Sequence, residues 1–125
     1  MRKLALTAAL IASLPTAALA EDWVFVAEAL NGHKWYVDRD SIRTMPNGNK
    51  RAWERQVYAK PLESRFTSSK ILREYDCREG RFRLLQATVY KGEGVTRWIT
   101  DTMEWIYVPP GSPAEARHNY VCFGR

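Results

Sequence analysis

Ile71-Leu72-Arg73-Glu74-Tyr75-Asp76-Cys77 is the stretch on which the fold turns. Aliphatic and aromatic residues alternate loosely with charged ones over the length of a strand. The run ends on one of only two cysteines, and the other, Cys122, lies near the C-terminus. If they pair, the bond ties a middle strand to the last structured element. Chain-entropy arithmetic for so long a closed loop gives about 4 kcal/mol of stabilisation. If they do not pair, they are two separate small core residues, a role cysteine also fills well. The compartment decides between these readings, and the N-terminus indicates the compartment.

Met1-Arg2-Lys3 is a short basic head, and Leu4 to Leu14 is an apolar run softened by Thr7 and Ser13. Pro15-Thr16 breaks the run, and Ala18-Leu19-Ala20 has the small-x-small cleavage pattern just before Glu21-Asp22. This is the pattern of a signal peptide. The apolar run is too short for an ordinary transmembrane helix. No cysteine lies near the cleavage point, so no lipid anchor is expected there. Residues 1–20 are therefore read as signal peptide and residues 21–125 as the mature domain. That domain is expected in the periplasm or secreted, without stable membrane insertion. In such an oxidising space two lone cysteines pair, so a Cys77–Cys122 disulfide is expected.

What remains is about a hundred residues, enough for one small domain with a modest core. Five tryptophans, six tyrosines and four phenylalanines supply much of that core's material. Losing Arg2 and Lys3 lowers the formal charge from +5 to +3, seventeen basic side chains against fourteen acidic. So mild an excess, on an exported chain, does not indicate a nucleic-acid partner. It suits weak attraction to acidic surfaces, glycans or membranes.

Outward from the key stretch, strands fill both directions. Arg78-Glu79-Gly80 turns the chain, and Arg81 to Tyr90 is the next strand. Its alternation slips at Leu84-Leu85, where a β-bulge would return one face to the core. Lys91-Gly92-Glu93-Gly94 turns again, Val95 to Ile99 is a short strand, and Trp105 to Val108 is the last candidate. On the N-terminal side, Pro61 to Ser69 reads as a long polar loop. Arg51 to Tyr58 is a strand with Trp53, Arg55 and Val57 on one face and Ala52, Glu54, Gln56 and Tyr58 on the other. Neither face is cleanly apolar, so its charged residues are expected to face water. Met45 to Asn49 is a loop that turns at Asn47-Gly48. Asp38 to Ile42 reads as a corner with one helical turn, held by aspartate side chains on nearby amides. Its carboxylates are too few and wrongly spaced for a calcium loop. Before it, Trp23 to Leu30 and Lys34 to Asp38 flank Asn31-Gly32, a tight hairpin signal.

Pro109-Pro110-Gly111 stops the last strand. Ser112-Pro113-Ala114-Glu115 then starts a helix: a serine cap, proline at the first helical position, and a glutamate placed to close a capping box. A helix of about ten residues is marginal alone and must dock. Cys122 at its end would clamp it to Cys77 on the sheet. The fold expected is mainly β: one antiparallel sheet of about six strands with a short C-terminal α-helix packed against it and held by the disulfide.

Catalytic chemistry is sparse. His33 and His118 are the only histidines and fall on a hairpin and on the helix. Oxidised cysteines are neither nucleophiles nor metal ligands. No serine has a nucleophile-elbow pattern, and no glycine-rich phosphate loop occurs. Glu54, Glu74, Asp76 and Glu104 could supply a carboxylate pair, but nothing in the sequence selects one. No enzyme activity, cofactor or metal is expected. Arg51, Arg55, Lys70, Arg73, Arg78, Arg81 and Arg83 instead crowd the middle strands. They are either solvated stems covering apolar neighbours or a basic, aromatic-studded binding patch. On the second reading the partner-binding residues are Arg73, Arg81, Arg83 and Tyr90.

The order of these features resembles a known family. It runs from Trp23 through Trp35-Tyr36-Val37-Asp38-Arg39-Asp40-Ser41-Ile42 to Arg73-Glu74-Tyr75-Asp76-Cys77 with Arg81-Phe82-Arg83, then Trp105 to Ser112 and Val121-Cys122. Across nearly the whole mature chain it is similar to the surface-adhesin protein E domain of Gram-negative bacteria. The resemblance implies an antiparallel sheet with a C-terminal helix held by a disulfide. The family's best-known member is a surface lipoprotein that binds host matrix and serum proteins, through middle strands that map onto Arg73 to Tyr90. The function implied is an exported binding module for a protein such as vitronectin or laminin, or for an envelope polymer. The alternative is a periplasmic structural or accessory protein with no host ligand. The missing lipidation cysteine is a departure from that member.

Overall fold

The computed structural model describes residues 21–63 and 65–125. The leader expected over residues 1–20 lies outside them. Eight strands form one antiparallel sheet: β1 (Trp23–Glu28), β2 (Lys34–Asp38), β3 (Arg43–Thr44), β4 (Lys50–Leu62), β5 (Phe66–Asp76), β6 (Arg81–Lys91), β7 (Gly94–Ile99) and β8 (Ile106–Tyr107). The order is β1-β2-β4-β5-β6-β7; β3 also pairs with β4, and β8 with β6. The short pieces extend the lanes of β2 and β7, so the eight strands lie in six ranks. A helix, α1 (Pro113–Phe123), closes the chain.

Local chemistry explains most boundaries. The β1–β2 turn needs glycine at Gly32, where φ is +91° and a Cβ would come within 3.0 Å of the Ala59 side chain. Asp38 holds the corner after β2. Its carboxylate accepts the Asp22 and Asp40 amides at 2.9 and 3.1 Å and caps a 3₁₀ turn over Arg39–Ser41. On β6, Leu84 faces Arg73 and Gln86 faces Leu72, leaving Leu85 as the extra residue of a bulge. The slip at Leu84-Leu85 is that bulge.

Three expectations are corrected. Pro61 to Ser69 is not a long loop: β4 runs to Leu62 and β5 begins at Phe66. Pro61 is tolerated because β2 has stopped pairing with β4 by Val57, which leaves that edge free of ladder bonds. Ser68 and Ser69 are buried in β5, and Tyr58 donates its hydroxyl to Ser69 at 3.1 Å. The last strand shrinks from Trp105–Val108 to Ile106–Tyr107. Glu54 does not face water; it is fully buried.

α1 starts as its cap predicts. Ser112 Oγ accepts the Glu115 amide at 3.2 Å, and Glu115 reaches back to the Gly111 amide rather than to that of Ser112. Gly124, at φ 75°, closes the other end with its amide on the Tyr120 carbonyl. Ala114, Arg117, His118, Val121 and Cys122 are its buried residues, spaced as one helical stripe. They pack with Val37, Ala52, Tyr75 and Phe82. The Cys77–Cys122 disulfide is formed, with the Cα atoms 5.8 Å apart. Among the described residues no helix is long and apolar enough to cross a membrane.

Candidate partner-binding face

The helix divides the candidate arginines. Alternation along β5 puts Ile71, Arg73 and Tyr75 on the helix side and Lys70, Leu72, Glu74 and Asp76 on the other. Arg73 is therefore inside. Its side chain is 12% exposed and pairs with Glu54, which also accepts the Tyr75 hydroxyl. Arg117 joins from α1, 3.3 Å from both Glu54 and the Tyr75 oxygen. Both guanidiniums lie against the Phe82 ring. Burial opposes the charge on Arg73, but Glu54 and Tyr75 outweigh it and its pKa is raised. Burial also pushes the Tyr75 phenol far up, with Glu54 adding to the effect. This cluster anchors the helix and has no open surface to offer a partner. Sequence reasoning placed Arg73 with Arg81 and Arg83; the structure separates them across the sheet.

Arg81 and Arg83 do share the opposite face, at its lower end. Arg81 Nε donates to Asp76 at 2.9 Å, and Arg83 Nε to Glu74 at 2.9 Å. Asn47 and Asn49 donate to the other Glu74 oxygen at 3.2 and 2.8 Å. Trp105 lies under both guanidiniums, 4.5 and 4.4 Å from its ring centre. Burial works against the charge of Glu74 and Asp76, yet these donors, with the Glu79 amide on Asp76 at 3.2 Å, outweigh it and both carboxyls titrate below their usual range. Arg81 and Arg83 are thus each matched by an acid.

Tyr90 lies at the upper end of the same face. It lies seven positions after Arg83, roughly 20 Å of strand. Their parity differs, and only the extra residue Leu85 brings both to one face. Around Tyr90, a cleft of about 260 Å³ is lined by Glu21, Trp23, Arg55, Ser68, Lys70, Gly92 and Glu93. Tyr36 and Val57 continue the surface beside Trp23 and Arg55. The Lys70 ammonium lies 5.3 Å from the Trp53 ring centre and 5.9 Å from that of Trp23. Arg51 and Arg55 are exposed and make no salt bridge with another described residue. Sequence reasoning named Arg51, Arg55 and Lys70 only as members of the basic group. The available signal was their shared parity with Trp53 on β4, together with the β4–β5 register.

The geometry holds no evident catalytic group among the described residues. The ligating atoms of Cys77, His118 and Cys122 lie within 4.8 Å of one another, but the two sulfurs are bonded to each other.

A sequence model of the surface-adhesin protein E family matches residues 23–123. The chain belongs to this family. Two solved structures of Haemophilus influenzae protein E share the fold. A second crystal form aligns with a TM-score of 0.58 at 14% identity, covering 91% of this chain and 96% of that one. The other aligns with the same TM-score and identity, covering 90% and 93%. No curated protein sequence matches the chain. At such low identity the likeness carries the architecture and no individual contact.

Proposed function

We propose that the chain is an exported binding domain that meets a protein or an anionic polymer on the open face of its sheet. The observation that supports this is an asymmetry. One face is closed by α1, while the other presents Trp23, Tyr36, Trp53 and Tyr90 beside Arg51, Arg55 and Lys70. Aromatic and arginine side chains that share a surface are the residues enriched at interface hot spots. Arg73 drops out of the proposed site because it is buried, Tyr90 stays, and Arg81 and Arg83 border its lower end. Export after cleavage at Ala20–Glu21, into the periplasm or beyond, is part of this reading. Host matrix or serum proteins such as vitronectin and laminin are the candidate partners, with envelope polymers beside them.

Surface binding to vitronectin, laminin and heparin at two salt concentrations tests it. Binding should weaken at higher salt, because exposed charges are screened beyond about 8 Å at physiological ionic strength. Arg51→Gln with Arg55→Gln should weaken it further. No binding to any of the three would favour the accessory role without a host ligand. Equal binding by the double variant would move the site off this face.

A further inference from the structure

We infer that the cleft beside Lys70 is a carboxylate site, filled in the free protein by the chain's own Glu21, and that its ligand is a uronic acid unit of an acidic polysaccharide. The inference rests on the open-face reading above and names the chemistry of its ligand.

Glu21 shows what the site accepts. One of its oxygens takes a hydrogen bond from Lys70 Nζ at 2.8 Å, and the other takes one from the Trp23 indole N–H at 2.9 Å. Two donors thus meet the two oxygens of one carboxylate, and one of them is charged, which makes the stronger kind of hydrogen bond. The Lys70 bond holds the Glu21 carboxyl below its usual pKa, and Arg55 contributes to the same field.

Glu21 is also a replaceable occupant. It precedes β1, its side chain is 46% exposed, and that of Lys70 is 31% exposed. Ion pairs this open to water are worth about 0–1 kcal/mol. A carboxylate that also gains ring contacts in the cleft can displace it. Without the Glu21 carboxylate the cleft keeps Lys70 and Arg55 against Glu93, an excess of positive charge that suits an anionic ligand.

The surroundings favour a sugar over an acidic peptide. At about 260 Å³ the cleft falls below the roughly 300–1,000 Å³ of drug-sized pockets, which leaves room for one ring with the rest of a chain outside. Trp23 and Tyr90 line it, and the electron-rich faces of such rings attract the polarised C–H groups of a pyranose. The segments beneath it, Arg55 on β4 and Ser68 to Lys70 on β5, are paired on both sides, so their backbone groups are already used. An extended peptide would find no strand edge to add to over these two strands.

The test titrates the exported protein with oligogalacturonate, with its neutral methyl ester and with poly-glutamate, read by calorimetry. Oligogalacturonate should bind and the ester should not. Glu21→Ala should tighten binding up to about fivefold by removing the internal competitor. Lys70→Met should abolish it while leaving the melting temperature and far-ultraviolet dichroism unchanged. In heteronuclear NMR, Glu21→Ala should move the Trp23 indole N–H signal. Unchanged affinity in Glu21→Ala, or full binding by Lys70→Met, overturns the inference. Poly-glutamate binding with the same dependence on Lys70 overturns the sugar as occupant. If vitronectin, laminin or heparin still binds through Arg51 and Arg55 while oligogalacturonate does not, this inference fails and the open-face reading stands.

Discussion

Two acid–base contacts on opposite faces of one sheet show how surroundings set the role of a charge. Under α1, Glu54 is fully buried with Arg73 and Arg117. On the open face, Glu21 meets Lys70 with both partners partly in water. Removing two charges from water is costly, and only close geometry with further hydrogen bonds repays it. The Tyr75 hydroxyl and two guanidiniums supply those bonds around Glu54. The open pair has nothing comparable at stake, so it can exchange partners. The inner contact therefore holds the fold together, and the outer one is free to exchange partners.

The largest effect should follow from breaking the inner contact alone. Glu54→Gln leaves Arg73 and Arg117 buried without a counter-charge, and about 3–5 kcal/mol of stability should be lost. Urea denaturation measures it. A triple change, Glu54→Leu with Arg73→Met and Arg117→Met, should cost less than the single one, because no uncompensated charge remains. If the triple variant is the less stable, the charges themselves favour folding and the contrast between the faces weakens.

The disulfide comes next. Its 45-residue separation corresponds to about 4 kcal/mol of closure entropy, within the roughly 2–5 kcal/mol typical for small exported domains. Cys77→Ala and Cys122→Ala should each lower the denaturation midpoint, and the double variant should be no worse than either, since one change already removes the bond. Hydrogen exchange should show the amides near Asn119 losing protection before those of β4 and β5. Ser112→Ala is a smaller break in the same helix, about 1 kcal/mol through the lost cap. An unchanged midpoint would remove Ser112 from that role.

The smallest effect concerns acid, on the open face. Glu74 and Asp76 titrate below their ordinary values of 4.5 and 3.8. A depressed folded pKa gives stability that is complete above the unfolded value and is lost as the pH falls through the folded one. Stability should therefore decline as the pH drops below these values, and Glu74→Gln should flatten that decline. A midpoint profile equally steep in the variant would assign acid sensitivity to other groups.

Much of this arrangement was legible along the chain. Ser112-Pro113-Ala114-Glu115 announced the helix because capping depends on residues within one turn. The slip at Leu84-Leu85 announced the bulge because strand alternation has a strict period of two. Asn31-Gly32 marked its turn because few residues tolerate a positive φ. Two cysteines behind a stretch read as an export signal left one pairing to expect. The hairpin at Pro61 to Ser69 was missed because its serines are buried by pairing and by Tyr58, neither of which is a local signal.

Which face would be inside was a different kind of question. Period two showed that Glu54 shares a side of β4 with Ala52, and that Arg73 shares a side of β5 with Tyr75. Both sides of both strands mix charged and apolar residues, so hydrophobicity could not rank them. The helix offered no apolar stripe to settle it either, since two of its buried positions are Arg117 and His118. The sequence by itself therefore determined most of the strands and turns, though not β3 or the β4–β5 hairpin, together with the bulge, the cap and the partner of each cysteine, all of which depend on short-range geometry or on counting. Only the tertiary structure decided that Arg73 lies beneath the helix and that Lys70, three residues earlier, lies in the open cleft. That assignment depends on where α1 docks, and the docked position is stabilised by Glu54, Tyr75 and Arg117 meeting from three elements far apart in the chain.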